Sequence, residues 1–262
     1  MNAIVIGQPL VPHYQWLGVG VSYLVAVLGS FAALQCARLM FDKQGRLDWA
    51  MGTSGAIALG GIGIWSMHFI GMLAYRPGVP VAYEILPTVL SLVAAIVISG
   101  LALFLAGRRG RFSLGGWLAG SVIAGLGVCV MHYMGMYAMN MRASMNWDVA
   151  VIGLSVAIAI AAAAAALWLA FHLDRLSHQV AAAFVMGIAV CAMHYTGMSS
   201  VSLICTAQAQ PGQWLVTNAY LDVVVFVTAL LALVQIYWVL SGRTIRQGRA
   251  QARRVVQATA RR

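Results

Sequence analysis

Charged residues are scarce in this chain, and acidic residues are the scarcest. The 262 residues include 6 Asp and Glu and 16 Lys and Arg, so only 8% are charged, whereas 62% are hydrophobic. Because soluble globular domains carry about 25% charged residues, the composition excludes that class. No carboxylate pair or Ser-His-Asp set is predicted at one depth of the fold, so hydrolytic chemistry is the least supported activity.

Cysteine is equally sparse, with 4 residues and no CxxC spacing. This pattern indicates neither a zinc ribbon nor a disulfide framework. We expect Cys36 and Cys205 to be packing residues. Cys129 and Cys191 differ because they fall inside a repeated motif described below.

Long apolar runs dominate the chain instead. A helix needs ~20 apolar residues to cross the hydrocarbon core of a membrane, and seven runs are long enough. We predict an all-α integral membrane fold. No basic segment or cleavage site precedes the first run, which is therefore interpreted as a retained span and not a signal peptide. The predicted spans are 15–40, 50–74, 85–106, 117–139, 149–171, 180–204 and 219–240.

The positive charges indicate the orientation. Segments 38–46 and 108–111, Arg175 and the tail hold 14 of the 16 Lys and Arg, while the opposite loops hold Arg76 and Arg142. Positive residues favour the cytoplasmic side, so we predict an external N-terminus and a cytoplasmic C-terminus. The +10 net charge then faces anionic lipid headgroups, and nucleic acid is a poor fit as a partner. Residues 1–241 are predicted to form the membrane domain and residues 242–262 a basic juxtamembrane tail.

One phrase occurs three times, always in an even-numbered span. Its copies are WSMHFIGM at 65–72, CVMHYMGM at 129–136 and CAMHYTGM at 191–198, with histidines 64 and 62 residues apart. Each copy closes a two-helix unit of the same polarity, and parallel repeats are related by an axis along the membrane normal. We therefore predict three parallel two-helix repeats in a pseudo-threefold bundle, with a seventh helix that leads to the cytoplasm.

Histidine is costly inside a membrane and is retained there mainly for function. His68, His132 and His194 each lie ~15–18 residues from the predicted cytoplasmic start of their helix, which places them in the outer leaflet at ~1.5 Å per residue. Glycines near every copy let backbones approach closely. The three imidazoles are therefore expected to converge near the outer face.

Sulfur surrounds each histidine. On a helix, positions i−3, i and i+4 share one face, which adds Met72, Met136 and Met198, with Cys129 and Cys191 as secondary candidates. The preceding residues are Met67, Met131 and Met193. His13 is a further secondary candidate, although an interfacial position is favoured for it.

Imidazole and thioether together select copper, particularly Cu(I), and disfavour magnesium, calcium and zinc. Haem is the main rival, because two histidines on facing helices can ligate its iron. The third histidine would then have no role. A purely structural role for the histidines is weakened by the threefold recurrence, with Met at −1 and +4 in every copy.

The motifs Met131-His132-Tyr133 and Met193-His194-Tyr195, with the variant Met67-His68-Phe69, resemble the bacterial MHYT domain over residues 10–240. The resemblance implies a sensor in the bacterial cytoplasmic membrane that binds copper and, through it, a diatomic gas (O2, CO or NO). It also implies a cytoplasmic output, often cyclic-di-GMP enzymes, and dimers are common among such sensors. Phe69 makes tyrosine a poor candidate for an essential ligand.

Three readings follow from the sequence. The first is a non-enzymatic sensor that holds copper at the three histidines and signals to a cytoplasmic domain. The second is a haem-binding redox protein, and the third is a copper transporter. Transport is disfavoured because Ala, Gly, Leu and Ile dominate the cytoplasmic halves of the even helices.

Overall fold

The computed structural model describes most of the chain, and the predicted basic tail 242–262 lies outside the described residues. The described residues are 6–41, 44–107, 113–173, 175–209, 212, 214–218, 220–234, 236–237 and 241.

Six helices are long and apolar enough to cross a membrane, which confirms six of the seven predicted spans and a multi-pass membrane protein. The described part of the seventh is a shorter apolar helix, Tyr220–Val234 (α8), and positions 219, 235 and 238–240 of the predicted span lie outside the described residues. The orientation across the membrane stays a prediction. The six are Trp16–Arg38 (α1), Trp49–Ala74, Ile85–Ala106 (α4), Leu114–Tyr137 (α5), Val149–His172 (α6) and Leu176–Ser199 (α7).

The second span differs from the others in its interior. It begins as an α-helix, Trp49–Ala56 (α2), continues as a ten-residue π-helical segment, Ile57–Ser66, and ends as α3, Met67–Ala74. π-Helices are rare and usually limited to one turn, often at functional sites. The corresponding stretches of α5 and α7 are regular α-helix, so the π-helical segment sets the first repeat apart.

Polar side chains cap several helices. Asp48 accepts from the amide of Met51 at 3.1 Å, and Ser113 accepts from the amide of Gly116 at 3.1 Å. Asp148 accepts from Ala150 at 2.9 Å, as expected for a carboxylate at a helix N-terminus. Glu84 occupies the equivalent position before α4 but makes no side-chain cap bond.

The spans pack in chain order into a closed ring. The π-helical segment lies between α1 and α4, α5 packs against α4 and α6, and α7 packs against α6 and α1. The helices α3, α5 and α7 also contact one another, so the even-numbered spans come together near one end. This end is the one at which the histidine phrases lie.

Short antiparallel strands cover that end, and the sequence analysis did not predict them. Each strand that follows an even span pairs with the strand that precedes the odd span of the same repeat. The three pairs are β2 with β3, β4 with β5 and β6 with β7, while β1 joins β7 and β8 joins β4. The strands are Pro9–Leu10 (β1), His13–Tyr14 (β2), Tyr75–Arg76 (β3), Val81–Glu84 (β4), Met139–Met141 (β5), Ala143–Trp147 (β6), Val201–Cys205 (β7) and Leu215–Thr217 (β8).

Candidate metal centre

Three histidines from three different spans meet inside the bundle, as predicted. His68 on α3, His132 on α5 and His194 on α7 are 0%, 1% and 1% exposed. Their Nδ1 atoms form a triangle with sides of 3.1, 3.1 and 3.3 Å. The histidines precede the ends of their helices by five or six residues, which places them about 8–9 Å below the strands at 1.5 Å per residue.

Hydrogen bonds alone do not satisfy this triangle. A neutral imidazole carries one proton, on either Nδ1 or Nε2. With one proton in the triangle, one of the three contacts is a good hydrogen bond; with two, both protons compete for a single acceptor. With none, three lone pairs converge on one point. A cation at that point would satisfy all three nitrogens at once.

A glycine positions each ring. A Cβ at Gly135 would collide with Nε2 of His68, one at Gly197 with His132, and one at Gly71 with His194. The three contacts therefore follow one cyclic order through the repeats. Since each Nε2 is held against a glycine backbone of the next repeat, every ring turns its Nδ1 toward the other two.

The same orientation leaves the second ring nitrogen without a partner. The Nε2 atoms of His68, His132 and His194 are buried and have no hydrogen-bond partner among the described residues. Metal-bound histidines usually donate their other N–H to a carbonyl or carboxylate. Here the fixed orientation comes from packing against glycine and not from a second hydrogen bond.

A second cyclic set of contacts ties the even spans to the odd ones. The Tyr133 hydroxyl bonds Ser155 Oγ at 2.6 Å, and the Tyr195 hydroxyl bonds Ser22 Oγ at 2.9 Å. The first repeat has Phe69 instead of tyrosine, but there Trp65 Nε1 donates to Ser91 Oγ at 3.0 Å. In each repeat, an aromatic side chain of the even span thus bonds a serine on the odd span of the next repeat; this side chain is tryptophan in the first repeat and tyrosine in the other two.

The donor of the first repeat stands at a position that is cysteine in the other two copies. Trp65 occupies the position that Cys129 and Cys191 hold in the other copies. Cys129 packs in a small cluster with Ala159 and Met193, and Cys191 lies beside Ser22. The described group of metal-ligating side chains within 4.8 Å of one another contains the three histidines and neither cysteine.

The other predicted site residues lie around this centre or above it. All six methionines are at most 2% exposed: Met67, Met72, Met131, Met136, Met193 and Met198. Their role as ligands stays a prediction. His13 lies in β2 opposite Arg76, outside the imidazole group.

Aromatic rings extend from the centre to the strands. The Tyr14 ring lies 5.4 Å from those of Tyr75 and Tyr195. Burial raises the pKa of the Tyr75 hydroxyl to about 12. The sequence analysis did not predict these ring contacts; a Tyr pair flanking the first two-helix unit was the available signal.

Comparisons with known proteins agree with the threefold phrase. The family model described as a bacterial signalling protein N-terminal repeat, MHYT, matches residues 61–119, 125–183 and 187–252. No solved structure matches the chain.

Two relatives come from Pseudomonas aeruginosa. The bifunctional diguanylate cyclase/cyclic di-GMP phosphodiesterase MucR is 37% identical over 95% of this chain and 36% of its own length. The cyclic di-GMP phosphodiesterase NbdA is 35% identical over 71% of this chain and 24% of its own length. The signaling protein YkoW of Bacillus subtilis is 30% identical over 89% of this chain and 30% of its own length. The chain therefore spans about a quarter to just over a third of the length of the curated relatives it matches, and it belongs to the MHYT family of bacterial signalling proteins.

Proposed function

We propose that this chain is a non-enzymatic membrane sensor domain that binds one copper ion through Nδ1 of His68, His132 and His194. The observation that carries the proposal is the buried triangle in which the three Nδ1 atoms face one another, while each Nε2 has no hydrogen-bond partner among the described residues. The bacterial cytoplasmic membrane is the proposed location.

The size of the triangle supports a metal ion. Three nitrogens at ~2.0 Å from a transition metal stand about 3.3–3.5 Å apart in tetrahedral or trigonal geometry. The nitrogens here are 3.1–3.3 Å apart. A movement of a few tenths of an ångström in each ring would accommodate the ion.

The charge of the site favours Cu(I). The described group contains three imidazoles and no carboxylate, so the ion would bring its charge into an apolar interior uncompensated. Burial of charge costs more as the charge rises, which favours a monovalent ion. The surrounding thioethers, Met72, Met136 and Met198 first among them, are soft donors that suit copper.

The packing disfavours haem. Two histidines that ligate one iron from opposite sides stand about 4 Å apart, at ~2.0 Å per bond, with the macrocycle between them. The three rings here are in contact, and glycines of neighbouring spans close on each. Separating the rings to admit a porphyrin would break the contacts between the imidazoles and the glycines of the neighbouring spans.

Signalling follows from the position of the ligands. Since each ligand comes from a different repeat, a change in copper occupancy, oxidation state or gas ligation would change the contacts among α3, α5 and α7. The names of the relatives support a cytoplasmic output of the cyclic-di-GMP type. A diatomic gas (O2, CO or NO) bound to copper, or copper itself, is the proposed signal. Anionic lipids at the basic tail and a homodimer are the proposed partners.

Elemental analysis tests the metal. Protein purified in mild detergent, reduced and offered Cu(I) is compared with a His68→Ala, His132→Ala, His194→Ala variant. We expect about one copper per chain, lost in the variant. His178→Ala is the matched control, because His178 is exposed, and it should retain copper.

Two results would overturn the proposal. Equal copper in the wild type and the triple variant would place the metal elsewhere. Zinc in place of copper, when both ions are offered, would keep the site but refute the metal.

A further inference from the structure

An apolar cavity of about 50 Å³ lies inside the bundle. The even spans line it with residues four positions before each histidine, Ile64, Val128 and Val190, and with others about eight positions before, such as Ala124 and Met186. Positions i and i+4 share a helix face. The cavity therefore lies directly below the imidazole triangle, one to two turns or about 6–12 Å away.

The lining is suited to an apolar guest. Ser99 supplies the one hydroxyl among the described residues that line the cavity, and the rest are aliphatic or methionine. A cavity needs ~10–15 Å³ of space for the centre of a water-sized sphere in order to hold one water molecule. Apolar cavities nevertheless stay dry, and they bind gases such as xenon. The volume fits a guest of a few heavy atoms at most.

Helix α6 forms one wall of this cavity with small side chains. Its alanine run supplies Ala159, Ala162, Ala163 and Ala166 to the wall. The share of α6 buried inside the bundle is only 11%, against 89% for the second span. Small side chains on a helix that faces lipid leave a thin wall between the hydrocarbon core, in which apolar gases dissolve, and the cavity.

Met193 links the cavity to the metal centre. Its side chain lines the cavity and packs with Cys129 and Ala159, while the next residue is His194. A guest in the cavity would therefore contact the side chain adjacent to one of the three imidazoles.

We propose that this cavity is a binding site for a small apolar molecule of the size of a diatomic gas, entered from the lipid side past α6. Binding in the cavity does not need the metal, whereas its connection to sensing rests on the proposed function. The cavity would concentrate the gas one turn below the copper site.

Xenon is the probe. The protein in lipid nanodiscs is labelled with 13C at its methionine methyl groups and titrated with xenon under pressure. We expect saturable chemical-shift changes at Met186 and Met193, which line the cavity. Met40 and Met51, which are buried elsewhere, should change only linearly with pressure.

Filling the cavity provides the decisive variant. Ala163→Leu should abolish the saturable change, and Ala166→Leu is a second variant in case the first does not fold. Ala165→Leu is the matched control on the exposed face of the same helix and should behave as the wild type. Identical titrations for all four methionines, or saturation unchanged by a filled cavity, would overturn the proposal.

Copper content measured on the same samples separates the two proposals. Saturable xenon binding without copper would leave the cavity site and refute the metal. Copper at full content with no saturable xenon binding would do the opposite.

Discussion

At the scale of single residues, the glycine that follows each histidine by three positions is as important as the histidine. The sequence predicted close helix crossing from these glycines but not which ring each one contacts. That contact is between repeats: Gly135 faces His68, 67 residues earlier in the chain. A spacing rule within one helix does not contain this information, so only the folded bundle reveals it.

Gly135→Ala should remove the metal without removing any ligand. The added methyl group would collide with Nε2 of His68 and turn that ring away from the other two. We expect copper content to fall at least tenfold in elemental analysis. Gly153→Ala, where a Cβ meets nothing within 4 Å, is the control and should keep its copper. Full copper in Gly135→Ala would refute the role assigned to this contact.

The tyrosine hydroxyls have a structural role, and a mutation tests this. Tyr133→Phe removes the bond to Ser155 and should lower the free energy of unfolding by ~0.6 kcal/mol, the average for interhelical hydrogen bonds in membranes, and by no more than ~1.7 kcal/mol. Copper content should not change, since Phe69 replaces tyrosine in the first repeat. Denaturant titration in mixed micelles measures the first quantity. A loss of copper in Tyr133→Phe would mean that the hydroxyl serves the metal site.

At the scale of elements, the sequence predicted the helices well and the connections poorly. Helices of 22–26 residues give a strong apolar signal, whereas strands of two to five residues do not. The π-helical segment was also missed. No residue type in the sequence marks a π-helix, and the glycines of this segment are equally typical of an α-helix that crosses a neighbour closely.

The π-helical segment is held between two neighbouring backbones. A Cβ at Gly60 would collide with the carbonyl of Ala95 on α4, and Gly29 of α1 faces Gly63 in the same manner. Ser66 Oγ donates to the carbonyl of Gly61, five residues earlier, at 2.9 Å. Close approach on both sides fixes this segment, and with it His68 two residues beyond its end.

Substitution of the adjacent Gly60 and Gly61 distinguishes the effect of close packing from the effect of helix propensity. Gly60→Ala should destabilise the protein by ~1–3 kcal/mol, as overpacking usually does, because α4 must move away. Gly61→Ala should be neutral or stabilising by up to ~1 kcal/mol, because a Cβ there meets Ile96 at an ordinary 3.7 Å. Unfolding midpoints in mixed micelles measure both. Equal effects would mean that the close approach to α4 does not limit the packing.

At the scale of the whole molecule, the three repeats are alike in sequence but unequal in burial. The second span is 89% buried, whereas α5 and α7 are each 33% buried. Asp222 of α8 lines a pocket with Leu17 of α1 and Leu73 of α3, so α8 begins beside the first repeat. The sequence predicted from three similar phrases that the three histidines meet, while the pseudo-threefold arrangement of the repeats stays a prediction. It did not predict this inequality, because the burial of each span depends on how the folded elements pack around it.

Copper should stabilise the bundle as a unit. A ligand that binds only the folded state stabilises it by RT ln(1 + [L]/Kd), ~2.7 kcal/mol when its free concentration is 100 times Kd. Since the three proposed ligands come from α3, α5 and α7, the ion would link all three repeats, and unfolding of any one repeat would release it. We therefore expect Cu(I) to raise the thermal unfolding midpoint and to slow amide hydrogen exchange in all three helices together.

The triple histidine variant should show neither effect, and His178→Ala should show both. Slower exchange confined to one helix would indicate that copper binds a single repeat, for example through one histidine and its neighbouring methionines. Slower exchange in α3, α5 and α7 that disappears with the histidines would mean that one ion couples the repeats. In that case the bundle as a whole, and not any single helix, would respond to the state of the metal.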